Sequence, residues 1–124
     1  MNTITVYEAV ILEPQDNKET TRIFSMQLNP EAPLFKGHFP GQPVLPGVVM
    51  VGAVKKAMEA LTQRALMLET SSAIKFLDAI IPGKQEDLRL IINYTQYENG
   101  YQTDAQILAG DKAVFKLKGT YKSI

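Results

Sequence analysis

One stretch of this chain keeps a helical period while almost everything around it keeps a period of two. From Val48 to about Leu68 the polar residues Lys55, Lys56, Glu59, Thr62 and Gln63 fall on one narrow helical stripe, and nearly every other position is Val, Met, Ala or Leu. Such a helix is expected to be buried on most of its circumference, with Met50 and Met58 in the core. About 20 residues at 1.5 Å each would make it roughly 30 Å long. Pro46 suits a helix start. Elsewhere, Ile4, Val6, Val10 and Leu12 share one parity, and Phe24, Met26 and Leu28 share another. Leu88, Leu90, Ile92 and Tyr94 alternate with polar residues, as do Ala113, Phe115, Leu117 and Tyr121. These windows predict half-buried strands. One helix amid five or six strands predicts an α+β fold, an antiparallel sheet wrapped around a single long central helix.

Turn chemistry divides the strands. In "YENGY" the pair Asn99-Gly100 is expected to supply the two positive-φ positions of a tight hairpin, and Asp16-Asn17 and Pro82-Gly83 mark further turns. Tyr94, Tyr97, Tyr101 and Tyr121 read as cross-strand packing residues. With no internal repeat or linker, residues 1–124 are expected to form one domain.

Charge and composition exclude several classes of function. Thirteen basic and thirteen acidic side chains give a formal net charge of zero, so the footprint of a nucleic-acid binder is absent. No cysteine and one histidine leave neither a thiolate nucleophile nor a donor set for a metal, so neither metal nor cofactor is expected. The start "MNTITVYEAV" lacks the basic opening and long apolar core of a signal peptide, and the longest apolar run is too short to span a bilayer. A cytoplasmic protein without a membrane partner is expected.

The one histidine stands in "LFKGHFPGQPVLPGVVM", Leu34 to Met50. Pro40, Pro43 and Pro46 at every third position exclude both a helix interior and a central strand. A stiff loop before a helix is a place where chemistry is displayed, which makes His38 the residue to explain.

The pattern "GHFPGQPVLPGVV" resembles the signature of the hot-dog-fold 3-hydroxyacyl-[acyl-carrier-protein] dehydratases of fatty acid synthesis, in which a His-Phe-Pro tripeptide is followed by a Pro and then a Pro-Gly-Val helix entry. "IKFLDAIIPG", Ile74 to Gly83, is similar to the family's Lys-Phe strand ending at a Pro-Gly turn. The resemblance implies removal of water from a 3-hydroxyacyl thioester. That reaction needs a base for the C2 proton, an acid for the departing hydroxyl, and stabilisation of charge on the thioester oxygen. His38 matches the family's catalytic histidine, its imidazole oriented by a carbonyl that would fall near Val44. Gly47 matches the glycine whose amide points at the thioester carbonyl, a role suited to a helix N-terminus. Phe39, Val44, Val48 and Phe76 are the implied substrate-binding residues. A strained His38-Phe39 turn with a cis peptide is implied as well. The implied partners are an acyl carrier protein and a second hot-dog subunit, identical or related, paired edge to edge.

One part of the pattern is missing. The family carries a glutamate or aspartate fourteen residues after the histidine and five after the helix-entry glycine, and that position here is Gly52. Glu59, the next carboxylate on the stripe, would lie about 10 Å further along the axis. A positioned general acid contributes roughly 10²- to 10⁴-fold in rate.

Structural alternatives stand beside each of these roles. His38 could be a loop histidine hydrogen-bonded for structure, Gly47 a residue that permits the turn, Gly52 a point of close backbone approach, and Lys55-Lys56 a solvated stripe rather than a docking patch for an acidic carrier. Three functions compete: a working dehydratase of fatty acid or polyene-type chain synthesis using water or a relayed group as acid; a half-catalytic acyl-binding subunit that needs a related partner; and a thioesterase on the same fold.

Overall fold

The computed structural model describes residues 2–15, 21–36 and 43–124. The elements in chain order are β1 (Ile4–Val6), β2 (Val10–Pro14), β3 (Thr21–Leu28), a short 3-10 turn (Pro33–Phe35), α1 (Gly47–Thr62), β4 (Leu66–Phe76), β5 (Leu88–Tyr97), β6 (Gly100–Ala109) and β7 (Lys112–Ser123). The strands form one sheet in the order β1-β2-β3-β5-β6-β7-β4, antiparallel at every step. The sheet wraps α1, which packs against β1, β2 and β4. This is the expected α+β arrangement, with seven strands among the described residues rather than five or six.

Burial follows the predicted parities. Leu12, Phe24, Met26, Leu90, Ile92, Phe115, Leu117 and Tyr121 turn inward toward Met50, Ala53, Val54, Ala57 and Met58 of the helix. Tyr94 and Tyr101 meet edge to face across β5 and β6, with ring centroids 5.8 Å apart.

Several boundaries differ from the sequence reading, each for a local reason. The helix ends at Thr62, about 24 Å from its start, because Gln63 adopts a left-handed φ of 58° and its amide closes on the carbonyl of Glu59. Leu66 to Leu68 then open β4, and the Leu66 amide donates to the Glu59 carboxylate at 2.9 Å. Within one chain α1 buries a single face, while Val48 is 67% exposed. The first period-two window is not one strand but the β1–β2 hairpin, turning at Tyr7 and Glu8. Asn99-Gly100 does not provide two positive-φ positions: the β5–β6 turn sits one residue earlier, at Glu98-Asn99, and Gly100 opens β6 opposite Tyr97. Its glycine answers a different need, since a Cβ there would run into the backbone carbonyl of Tyr121. Pro82-Gly83 does turn as expected, with Gly83 at φ 84° and the Lys84 amide bonded to the Ile81 carbonyl. Asp16-Asn17 lies outside the described residues.

Tyr121 is fully buried and its hydroxyl has no hydrogen-bond partner among the described residues. Burial disfavours its phenolate and pushes the phenol up to about 12. Because the folded value is raised above the ordinary one near 10, the neutral phenol favours folding fully below pH 10, and that contribution is lost as pH rises toward 12. Tyr121→Phe is therefore expected to keep or slightly raise stability at neutral pH, since it removes an unpaired buried hydroxyl. It is also expected to flatten the loss of stability above pH 10. Urea unfolding at pH 7 and pH 11 reads both effects.

Candidate active site at the helix entrance

The entry of α1 is pinned from both sides. The Leu45 amide donates to the Ile80 carbonyl at 2.8 Å, which ties the chain before the helix to the segment after β4. Pro46 holds the N-cap in an extended conformation, φ −62° and ψ 145°. The first amides of a helix have no partner within it, and those of Gly47 and Val48 have no acceptor among the described residues. They present partial positive charge to whatever lies at the helix start.

Phe76, the last residue of β4, lies against this entrance. A Cβ on Gly47 would stand 2.7 Å from Cε1 of the Phe76 ring and 2.8 Å from its Cζ. The glycine is thus what lets the ring close on the helix start, a third role that the sequence did not suggest. Beside them is a cavity of about 420 Å³ lined by Val44, Leu45, Gly47, Met50, Phe76 and Leu77, among others. Three expected site residues, Val44, Gly47 and Phe76, therefore meet. Val48 does not join them: it faces a second cavity of about 720 Å³, with Tyr7, Glu8, Pro33, Leu34 and Val49. Successive helix residues point some 100° apart, which places 47 and 48 on different flanks of α1.

His38 and Phe39, with the implied cis peptide between them, lie outside the described residues. Their segment leaves the described chain after Lys36 and returns at Pro43. Leu34 on one side of it and Pro46 on the other both line the larger cavity.

No carboxylate is free to act as proton donor on the helix. Position 52 is glycine, and a Cβ there would meet the ring of Tyr7, 2.8 Å from Cε2. The neighbour of Gly52 is a side chain, not the close backbone considered from the sequence. Glu59 accepts the Leu66 amide and lies 4.0 Å from Lys56, so it serves the helix end. Asp78 borders the smaller cavity, but a 2.8 Å hydrogen bond from Lys112, the Ala79 amide and the Lys112 charge hold its carboxyl below the usual range. It is ionised at neutral pH and has no proton to give. Tyr7 and Glu8 were not legible as site residues, since nothing in an alternating N-terminal strand pattern marks a turn that reaches back over a helix.

A family model described as ApeI-like, ApeI dehydratase, matches residues 14–113. The chain belongs to this dehydratase family. Named relatives agree. The 3-hydroxyacyl-[acyl-carrier-protein] dehydratase FabZ of Rickettsia rickettsii is 28% identical over 121 residues, covering 87% of this chain and 82% of the relative. FabZ of Acetivibrio thermocellus is 34% identical over 104 residues, covering 73% and 64%. FabZ of Caulobacter vibrioides is 28% identical over 90 residues, and the match covers 73% of this chain but only 53% of that relative, about half its length. Among solved structures, the dehydratase heterocomplex ApeI:P from Xenorhabdus doucetiae superposes with a TM-score of 0.71 at 22% identity, covering 98% of this chain and 99% of the other. An uncharacterized protein from Erwinia carotovora subsp. atroseptica gives 0.67 at 26% identity, covering 100% and 98%. The fold is the hot-dog fold of these dehydratases, as the loop resemblance implied. Among the described residues no helix is long and apolar enough to cross a membrane.

Proposed function

We propose that this chain, as a single hot-dog domain, dehydrates 3-hydroxyacyl thioesters carried on acyl carrier protein, in the cytoplasm and as part of a dimer. The observation that carries the reading is the helix entrance: amides of Gly47 and Val48 with no acceptor among the described residues, beside a mostly apolar cavity walled by Val44 and Phe76. Such a helix start stabilises negative charge developing on a thioester oxygen, while the apolar walls accept the acyl chain. His38 takes the C2 proton. Edge-to-edge dimerisation is supported by β4, an 11-residue strand paired with β7 on one side and with no described strand on the other. Such an edge is a template for another strand.

The glycine at position 52 favours a second reading, in which a related hot-dog partner supplies the carboxylate across the interface. The similarity to a solved dehydratase heterocomplex supports it. The test is to incubate the chain with 3-hydroxyacyl carrier protein, alone and mixed with a homologue bearing the helix carboxylate, and to follow loss of water to the enoyl product. Sedimentation at micromolar concentration reads the assembly. Turnover by the chain alone is expected under the first reading, and turnover by the mixture only under the second. A stable monomer in both preparations, or no enoyl product in either, would sink both.

A further inference from the structure

The outer face of the sheet carries a charge pattern that the fold does not need. β7 has four lysines, Lys112, Lys116, Lys118 and Lys122, and no carboxylate. Phe115, Leu117 and Tyr121 turn into the core, so Lys116, Lys118 and Lys122 stand on the opposite, outer face. On the edge strand β4, Lys75 lies directly opposite Lys116, and the neighbour of Lys116 on β6 is Gln106. Neither Lys75 nor Lys116 has an ion pair among the described residues. Like charges directly opposite each other destabilise a sheet, so this pair is a cost to the fold.

Neighbouring carboxylates do little to offset it. β4 and β6 contribute Glu69 and Asp104. Asp104 lies 3.8 Å from Lys118, but both side chains of that pair are more than half exposed, where an ion pair contributes little. Lys112 is held by Asp78 at 2.8 Å and so is set apart from the row. Protection of the edge does not explain the pattern either. Lysine on an edge strand wards off stray pairing, which suits Lys75, but Lys116, Lys118 and Lys122 stand on β7, between β6 and β4.

The row also has a direction. Lys116 to Lys122 covers roughly 20 Å at about 3.3 Å per residue. Its Lys75–Lys116 end adjoins Phe76 and Phe115, which pair one residue further along, and the Phe76 ring closes on Gly47. The cationic face thus starts at the rim of the 420 Å³ cavity at the helix entrance. A second subunit added along the β4 edge would extend the sheet in its own plane and leave the outer face open. The helix pair Lys55-Lys56 is less available, since Lys55 is half-buried and Lys56 lies 4.0 Å from Glu59.

We propose that this outer face, centred on Lys75 and Lys116, is where the acidic carrier protein docks. Charge complementarity holds the carrier beside the cavity that receives its thioester, and the unfavourable lysine pair becomes favourable once an acidic surface covers it. This assignment rests on the dehydratase reading and deepens it by naming the surface its carrier uses.

The experiment titrates the full chain with an acyl carrier protein bearing no acyl group, at low and high salt. It compares wild type, Lys116→Glu, Lys75→Gln/Lys116→Gln and Lys55→Gln/Lys56→Gln. Melting temperature and dehydration of a carrier-free 3-hydroxyacyl thioester are read on the same samples. Lys116→Glu sets a carboxylate opposite Lys75, so its melting temperature is expected to hold or rise. Its carrier affinity is expected to fall roughly 10-fold at low salt, with a smaller difference at high salt. The glutamine pair on the sheet should weaken binding as well, the glutamine pair on the helix should not, and carrier-free turnover should stay at the wild-type level in all three. Unchanged carrier affinity in Lys116→Glu, or a loss confined to the helix variant, would overturn the assignment. So would a wild-type chain that ignores the carrier and binds phosphatidylglycerol vesicles instead. In each of those cases, turnover of the carrier-free thioester would leave the dehydratase reading standing. Carrier binding that follows the sheet lysines in a protein without any dehydration would keep the docking surface and strike the dehydratase reading.

Discussion

Replacing His38 by alanine is expected to lower dehydration of 3-hydroxyacyl carrier protein by roughly 10²- to 10⁴-fold, equivalent to about 3 to 5 kcal/mol of barrier, in whichever assembly turns over. The magnitude follows from the absence of a substitute. His38 is the single histidine of the chain, no cysteine is present, and two carboxylates are committed elsewhere: Glu59, at the far end of the helix, to the Leu66 amide, and Asp78, beside the smaller cavity, to Lys112. None of these can take the C2 proton without abandoning a structural bond. The stabilisation of the thioester oxygen proposed for Gly47 does not depend on His38, so substrate binding is expected to change much less than turnover. The measurement is the rate of enoyl product formation, with the melting temperature recorded on the same samples. An unchanged rate would assign the Pro-patterned loop a structural role and end the reading of His38 as base.

Phe115→Ala is expected to destabilise the protein by about 3–5 kcal/mol, the range for truncating a fully buried phenylalanine. Phe115 is wholly buried on β7, opposite Ile107 of β6 and Phe76 of β4, and its ring lies 5.4 Å from that of Phe76 at an angle of 45°. The substitution removes the core's contact with the ring that closes on Gly47. At about 4 °C per kcal/mol for a chain of this size, the melting temperature should fall by roughly 12–20 °C. KM for the acyl substrate should rise in what remains folded, because Phe76 loses its support. Phe115→Leu fills most of the volume and is expected to cost less than about 1.5 kcal/mol. Thermal melts of the two variants separate the cases, and an alanine variant melting near wild type would move the centre of the core elsewhere.

Much of the architecture is carried by short-range pattern. Alternation at Leu88–Ile92 and Phe115–Leu117 names the inward side chains because a strand has only two faces, and those residues are buried. The helical stripe of Lys55, Lys56 and Glu59 likewise marks the side of α1 turned from the sheet. The loop signature names the family that the model match over residues 14–113 supports. Val44, Gly47 and Phe76 meet in one cavity.

What pattern leaves open are the points settled by a single contact between distant segments. An apolar run from Val48 to Leu68 reads as one helix, yet it divides at Gln63 because a left-handed residue and a carboxylate cap end α1 there. Asn99-Gly100 has the chemistry of a tight turn, yet Gly100 is claimed by the carbonyl of Tyr121 on a neighbouring strand and the turn moves one residue back. The sequence by itself determined the strand faces, the one central helix and the loop that ends at its entrance, since each depends on residues within a turn or two of one another. The close approach of Phe76 to Gly47, the separation of Val48 into another cavity, and the Tyr7 ring over Gly52 were decided only in the tertiary structure. Those pairs are far apart in the chain, and their contacts exist only once the curled sheet has brought its edges around the helix.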